Sequence, residues 1–589
     1  MIFLPHIFSH GMVLAKKARI WGFCDSDTPF TLTFLGQSYS ITPTADTRGG
    51  YGFEQVLESP SYGGPHTLTI GEHTLKDVYI GRVFLCAGQS NMEQPLSRAL
   101  GLEAHIQPDS RIHAFQAEKN HHFGEAKTDV AGQWETYTGD FSHLFGLPYF
   151  FARQVLASLQ EDIPIGLLNV AAGGTPVESW LSEAVVGQHL KAAHERLQPY
   201  KNPDFVEEVV RAGDERHRAW FSDISFETTD TDWQTTDLLM PVMDTPGAVV
   251  YRKALPYLAG PLHLNLGRVI DSVRVFINGT DIGHIGYQYP PAVFTVPDGL
   301  LTPHDTNWLT LQVLGETQPP YVVAGKTYAL TNPEGVSIDL SCDWQYQITQ
   351  VKTPHEPGFW FYNLATGCYN YMLAPLIRYS IDAFLWYQGE SNTAEPEGYA
   401  DKFALLVDSI REHNPDVPVY YTQLANLINP NAPWPVDKHP NYNFGTGWAI
   451  LREQQRQCLS LPNTHMAVTI DCGEDNDLHP ADKKTVGERL ARLYLNPTNT
   501  GPVVKAHSLV DGLLTITFDQ GAGLWSKNGR PELVINGHHI VTAKIIHNTL
   551  MAQLPQVKPQ VVRFGWSDCP SVTLYNAQGL PASPFELVL

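Results

Sequence analysis

The sequence predicts an α/β protein: a doubly wound parallel sheet, interrupted by an inserted β jelly roll and flanked by a β-sandwich at each end. Three observations predict it. In 76–219, and again in 346–502, short apolar runs alternate with segments of helical periodicity, the order that builds a parallel sheet. In 1–75, 220–345 and 503–589 the apolar residues instead recur at every second position between Gly-Gly and Asn-Gly turns. A chain of 589 residues is also too long for a single core, so several domains are required.

Taken in order, the first section has alternating runs at 31–34, 53–57 and 67–70, separated by Gly49-Gly50 and Gly63-Gly64. The α/β section opens with an apolar run, Val78 to Leu85, that stops at Ala87-Gly88; Ser90 follows at once. The polar stretch after it, with His121-His122, reads as loop. Residues 146–160 place Phe150, Phe151, Val155, Leu156 and Leu159 on one helical face, and 163–171 form a buried strand ending at Gly173-Gly174-Thr175. The inserted section alternates at 249–252, 262–266 and 271–277, and Asn278-Gly279 is a hairpin turn. The α/β pattern then resumes: helix 365–379, strand 383–387 ending in Gln388-Gly389-Glu390-Ser391-Asn392, helix 399–413, strand 417–424, helix 447–459, strand 466–470, a loop 471–480 and helix 482–494. The last section is β again, with runs at 513–518 and 533–537.

Composition excludes several classes. The formal net charge of -22 argues against nucleic acid or an anionic membrane surface as partner, since phosphate binding needs clustered Lys and Arg. No apolar run is long enough to span a bilayer. The seven cysteines are scattered, with no C-x-x-C and no metal-ligand spacing, and His121-His122 has no second ligand cluster, so no metal is expected. The opening MIFLPHIFSHGMVL lacks the pattern of a secretion signal; a cytoplasmic location and a periplasmic or secreted one with the signal removed are both compatible with it.

Four strand ends carry chemistry-bearing residues: Ser90, Gly173-Gly174, the 388–392 segment, and Asp477-Leu478-His479. In a doubly wound sheet such ends share one edge. A serine hydroxyl is a weak nucleophile until a histidine takes its proton, and positioned N–H groups must hold the oxyanion that forms. Singly, each motif is also an ordinary structural one: a Gly-Gln-Ser-Asn turn, a Gly-Gly-Thr turn, an Asp at a helix N-cap. Four in one order, at one edge, are more than that. The serine does not sit in a G-x-S-x-G elbow.

AGQSNMEQPL, AAGGTPVESW, FLWYQGESN and NDLHPADKKTVGERLA resemble the blocks of the SGNH-type sialate O-acetylesterases and related carbohydrate acetylesterases, and WAILREQQ and LPNTHMAVTID fit as well. The flanking and inserted β-sections are similar to that family's, so the likeness spans nearly the whole chain. It implies an SGNH-hydrolase-like fold and a serine esterase that removes O-acetyl groups from carbohydrate, with no cofactor. Ser90 would be nucleophile, His479 base and then acid, and Asp477 the acid orienting the ring. The N–H groups of Ser90 and of Gly173 or Gly174 would form the oxyanion hole. Gln388 would supply its third donor, with Asn392 as the other amide in that motif. Gln89, Asn91, Trp180 and Tyr387 are expected to line the substrate; Glu390 is counted with them, although it reads more readily as a carboxylate bracing its loop. Many SGNH enzymes carry the acid three residues before the histidine, where this chain has Asn476; Asp475 and Asp471 rival Asp477, as does a backbone carbonyl. The implied partner is an acetylated carbohydrate, either a sialic acid or a plant oligosaccharide such as xylan or xyloglucan; oligomeric state is left open. The rivals are a glycoside hydrolase, for which no acid pair is evident, and a non-catalytic carbohydrate-binding protein.

Overall fold

The computed structural model describes residues 1–46, 49–427, 447–555 and 561–589. They form two compact units: Met1–Lys201 with Phe361–Leu589, and Asn202–Trp360.

The first unit is organised around a seven-stranded sheet. Its strands, in chain order, are β1 (Arg82–Gly88), β2 (Asp109–Ala117), β3 (Gly132–Tyr137), β4 (Ile165–Ala171), β5 (Ala383–Tyr387), β6 (Val419–Thr422) and β7 (Thr464–Ala467). The spatial order is β3-β2-β4-β1-β5-β6-β7, parallel throughout except for the antiparallel edge strand β3. Strands β4 and β5 are buried along their whole length and β1 along all but its first residue. That is why their sequences are unbroken apolar runs rather than alternating ones. The β1 register sets Gly88 beside Ala171 on one side and Tyr387 on the other. Strands before the insertion lie on one side of β1, and those after it on the other. The crevice at the carboxyl end of β1 is therefore the point where the strand order reverses.

Helices α1 (Ser90–Glu93), α2 (Gly146–Leu159), α3 (Tyr399–His413), α4 (Gly447–Gln457) and α5 (Lys483–Leu495) complete the α/β layer. A Cβ on Gly487 would lie 2.8 Å from Leu147 O and 2.9 Å from Phe151 N, so α2 and α5 meet backbone to backbone where only glycine fits. One continuous apolar core joins this layer to two N-terminal sheets of four and five strands. The C-terminal section has a core of its own.

Three expectations need correction. The stretch after Ser90 is not all loop: β2 and β3 lie in it. The expected helix 365–379 is helical only over 367–373, where it runs into the π-helical turn Tyr369–Leu373. The second unit begins at Asn202, ahead of the expected 220, because it opens with a long helix, Pro203–Phe221. Asn202 caps that helix through the Asp204 N–H, and Pro203 stands at its first position, where a missing N–H costs nothing. The rest of the unit is a six-stranded, a four-stranded and a two-stranded antiparallel sheet around a main apolar core.

Candidate active site

Strand β1 ends at Gly88, with φ 144°; an added Cβ would sit 2.1 Å from the Tyr387 carbonyl oxygen, so glycine is required. The chain turns at Gln89, whose N–H donates to Tyr387 O at 3.0 Å, and α1 starts at Ser90. The Ser90 N–H thus belongs to a first helical turn, whose amides have no acceptor within the helix. After β4, the Ala172 N–H donates to Gly88 O at 3.1 Å, which brings the glycine pair to the serine: a Cβ on Gly173 would lie 3.3 Å from Ser90 Cβ.

The His479 turn is fastened to the Ser90 turn on both sides. Asn91, next to Ser90, donates from Nδ2 to Leu478 O at 3.0 Å, one residue before the histidine. Lys483 Nζ donates to Asn91 Oδ1 at 2.9 Å and to the carbonyl of Pro480, one residue after it. Gln94 Nε2 reaches the carbonyl of His479 itself at 3.5 Å. Asn91 Nδ2 also donates to Glu390 Oε1 at 2.5 Å, which ties in the third strand end. Lys483 and Glu390 are both buried. Burial pushes the Glu390 carboxyl up, and it pushes Lys483 down to about 8 against the pull of Glu390, Asp477, Glu474 and Asp482.

Asp477 lies in the same turn, and its Oδ1 accepts the backbone N–H of His479 at 2.9 Å. Its rivals are engaged elsewhere. Asp471 takes both arms of Arg489, at 2.5 and 2.9 Å, and Asp475 accepts from Asn426 Nδ2.

The amides expected as oxyanion donors are placed differently. Gln388 is fully buried, and its Nε2 donates to Thr175 O at 3.0 Å and to Asn392 Oδ1 at 2.8 Å, so both hydrogens are used. Asn392 Nδ2 donates to Glu178 Oε2 at 2.9 Å, its Oδ1 also accepts the Val177 N–H at 2.9 Å, and Lys402 closes on Glu178 at 2.6 Å. These partners fix which end of each amide is nitrogen. Both side chains brace the loop after Gly173-Gly174; the bonds of Gln388 use both of its N–H groups, whereas these bonds use only one of the two Asn392 Nδ2 hydrogens.

The expected substrate-lining residues are corrected likewise. Gln89, Asn91, Trp180, Tyr387 and Glu390 are each at most 9% exposed. Gln89 Oε1 accepts the N–H groups of Gly389 and Ser391, both at 3.3 Å, and Trp180 Nε1 donates to Thr175 Oγ1 at 3.0 Å. They shape the site from beneath.

Sequence reasoning missed Glu93 and Lys483. Glu93, one helical turn after Ser90, has Lys119 Nζ 3.3 Å from both carboxylate oxygens. Burial raises its pKa, opposed by Lys119 and by the Gly173 N–H bonded to it. An added Gly173 Cβ would be 2.8 Å from Glu93 Oε1, so this carboxylate touches the glycine expected in the oxyanion hole. Lys483 had a legible signal: it opens α5, where the positive end of the helix dipole disfavours a cation.

The family model described as carbohydrate esterase, sialic acid-specific acetylesterase, matches residues 80–202 and 359–496. Among curated proteins, the sialate O-acetylesterase of Pongo abelii is 31% identical over 214 residues, 31% of this chain and 39% of that protein. The human sialate O-acetylesterase is 29% identical over 216 residues, with the same two shares. The chain thus spans about two fifths of the length of the curated relatives it matches. Over the full chain the fold is similar to that of a carbohydrate acetylesterase from Xanthomonas citri: TM-score 0.63, 22% identity, 100% of this chain and 99% of that one. The two segments that the family model matches, residues 80–202 and 359–496, are the ones that carry Ser90 and His479, so the chain is similar to the carbohydrate esterase, sialic acid-specific acetylesterase family over this split domain.

Proposed function

We propose that the protein is a serine esterase that removes O-acetyl groups from carbohydrate through an acetyl-Ser90 intermediate, on an SGNH-hydrolase-like sheet interrupted by a jelly roll. The observation that carries this reading is the double fastening of the Ser90 and His479 turns through Asn91 and Lys483. It ties the residues next to Ser90 to those next to His479, from opposite ends of the domain, which supports the reading that hydroxyl and imidazole share one rim, the arrangement acyl transfer needs.

In this mechanism Ser90 Oγ attacks the acetyl carbonyl carbon while His479 takes the hydroxyl proton. The Ser90 N–H and an N–H of the Gly173-Gly174 pair hold the resulting oxyanion; the Gly173 N–H is shared with Glu93. Collapse expels the sugar oxygen, which leaves with the proton from His479. Water then attacks acetyl-Ser90, His479 taking its proton, and acetate departs as the serine recovers its hydrogen. Asp477, bonded to the His479 backbone, is the favoured orienting acid because Asp471 and Asp475 have other partners. The bonds of Gln388 support a bracing role for it rather than a donor's, and Asn392, with one Nδ2 hydrogen outside its bond to Glu178, is the amide left to serve as third donor.

The substrate class follows from the relatives' printed names, sialate O-acetylesterase and carbohydrate acetylesterase: acetylated sugar, with O-acetylated sialic acid first; acetylated plant oligosaccharides are the alternative. Acetate release from a panel of both, by wild type and Ser90→Ala, tests it. The account expects release from at least one sugar and a loss on the order of 10⁴-fold or more in the variant. An unchanged rate in the variant refutes the nucleophile. Binding of the sugars without any release favours a non-catalytic carbohydrate-binding protein.

A further inference from the structure

We propose that Lys483 is a positioning residue of this site: its ammonium pins the Leu478–Pro480 turn to Asn91 and so presents His479 to Ser90. The inference rests on the Ser90–His479 reading above. It starts from a cation in an unfavourable place. Lys483 is 2% exposed and stands at the first position of α5. Both burial and the helix dipole oppose a charge there.

What keeps it there is the site. Its Nζ donates to two acceptors, and each belongs to a residue adjoining a reacting one: Asn91 follows Ser90, and Pro480 follows His479. Asn91 completes the clasp by donating to Leu478 O, so the carbonyls on both sides of His479 are held. No side chain other than Asn91 stands between the lysine and Glu390 in this chain of bonds. The charged groups acting on Lys483 come from every neighbouring segment: Glu390 from the loop after β5, Glu474 and Asp477 from the loop before α5, and Asp482 from the helix cap. A lysine serving only to neutralise Glu390 would need none of the contacts to the histidine turn. Those contacts separate the two roles.

The test compares Lys483→Met and the double variant Lys483→Met/Glu390→Gln with wild type, using p-nitrophenyl acetate, with thermal unfolding measured alongside. In the single variant kcat falls on the order of 10²-fold, the size of a misplaced rather than missing catalytic group, and KM changes by no more than about threefold. Glu390→Gln then removes the stranded carboxylate and restores the unfolding temperature, but not kcat. Recovery of kcat together with stability overturns the proposal, because it reduces Lys483 to a counter-charge. A wild-type kcat in the single variant overturns it as well. Ser90→Ala, assayed in parallel, separates the two levels: if it retains activity the catalytic reading fails, whereas if it is inactive beside an unimpaired Lys483→Met, only this inference fails. Should neither lysine variant fold, the wild-type pH profile decides. Burial pushes the Lys483 pKa down to about 8, so the charged clasp on Asn91 Oδ1 and Pro480 O weakens and kcat declines above that pH with KM flat; a kcat that holds level well above it contradicts the proposal.

Discussion

Lys483 donates from Nζ to Asn91 Oδ1 at 2.9 Å, although 392 positions separate them in the chain. Through this bond the first turn of α1 and the first turn of α5 become one structure, with Ser90 on one side of it and His479 on the other. The inserted unit and several strands lie between the two in sequence, so the contact forms only once the α/β domain has closed.

Asn91→Ala takes a partner from three groups at once: buried Glu390 Oε1, part-buried Leu478 O and the buried Lys483 ammonium, which keeps only Pro480 O. The expected cost is about 2–4 kcal/mol of stability, because each loses its compensation without regaining water. Denaturant unfolding measures it. A loss below about 0.5 kcal/mol would mean that the network is not holding these turns.

Gln388 offers a sharp contrast between brace and oxyanion donor. Gln388→Met keeps the volume and removes the bonds to Thr175 O and Asn392 Oδ1. The expected outcome is a destabilisation of roughly 1–3 kcal/mol with a kcat loss of no more than about tenfold. A donor to the oxyanion would instead cost roughly 10²–10³ in kcat. Steady-state kinetics on the folded variant distinguish the two.

Acid sensitivity should trace in part to His113, buried in β2 with its ring 4.4 Å from that of Tyr79. Burial lowers its pKa from 6.5 to about 4. Between these values the unfolded chain binds the proton and the folded chain does not, so stability falls as pH drops from about 6.5 toward 4. The contribution is about 3 kcal/mol at the acid end. Unfolding of wild type and His113→Leu in urea at pH 7 and pH 5 checks it: the drop between the two pH values should be smaller in the variant. An equal drop would remove His113 from the account.

Much of the site was legible because a strand buried on both faces must be apolar along its whole length. That made the ends of β1, β4 and β5 visible, and with them Ser90, Gly173-Gly174 and the 388–392 segment. Strand β2 was hidden for the converse reason: Arg111, His113 and Gln116 interrupt its run, and His113 is buried, where burial favours the neutral ring. The roles of Gln388 and Asn392 were not legible, since an amide that donates to a substrate and one that donates to a carbonyl are spelled alike. Only tertiary neighbours such as Thr175, Glu178 and Lys402 show how each amide is bonded, and they come from two separate segments. The acid partner was ambiguous for a similar reason. Four carboxylates fall within 471–477, and only tertiary partners such as Arg489 and Asn426 sort them.

The most direct test of the central claim is to look for the covalent intermediate. Wild type mixed with excess p-nitrophenyl acetate, quenched in acid within the first turnovers and mapped by peptide mass spectrometry, should carry one acetyl group on Ser90, and Ser90→Ala should carry none and show no burst of p-nitrophenol. Acetyl groups on another residue that turns over at the catalytic rate, or full turnover in the alanine variant, would contradict the account.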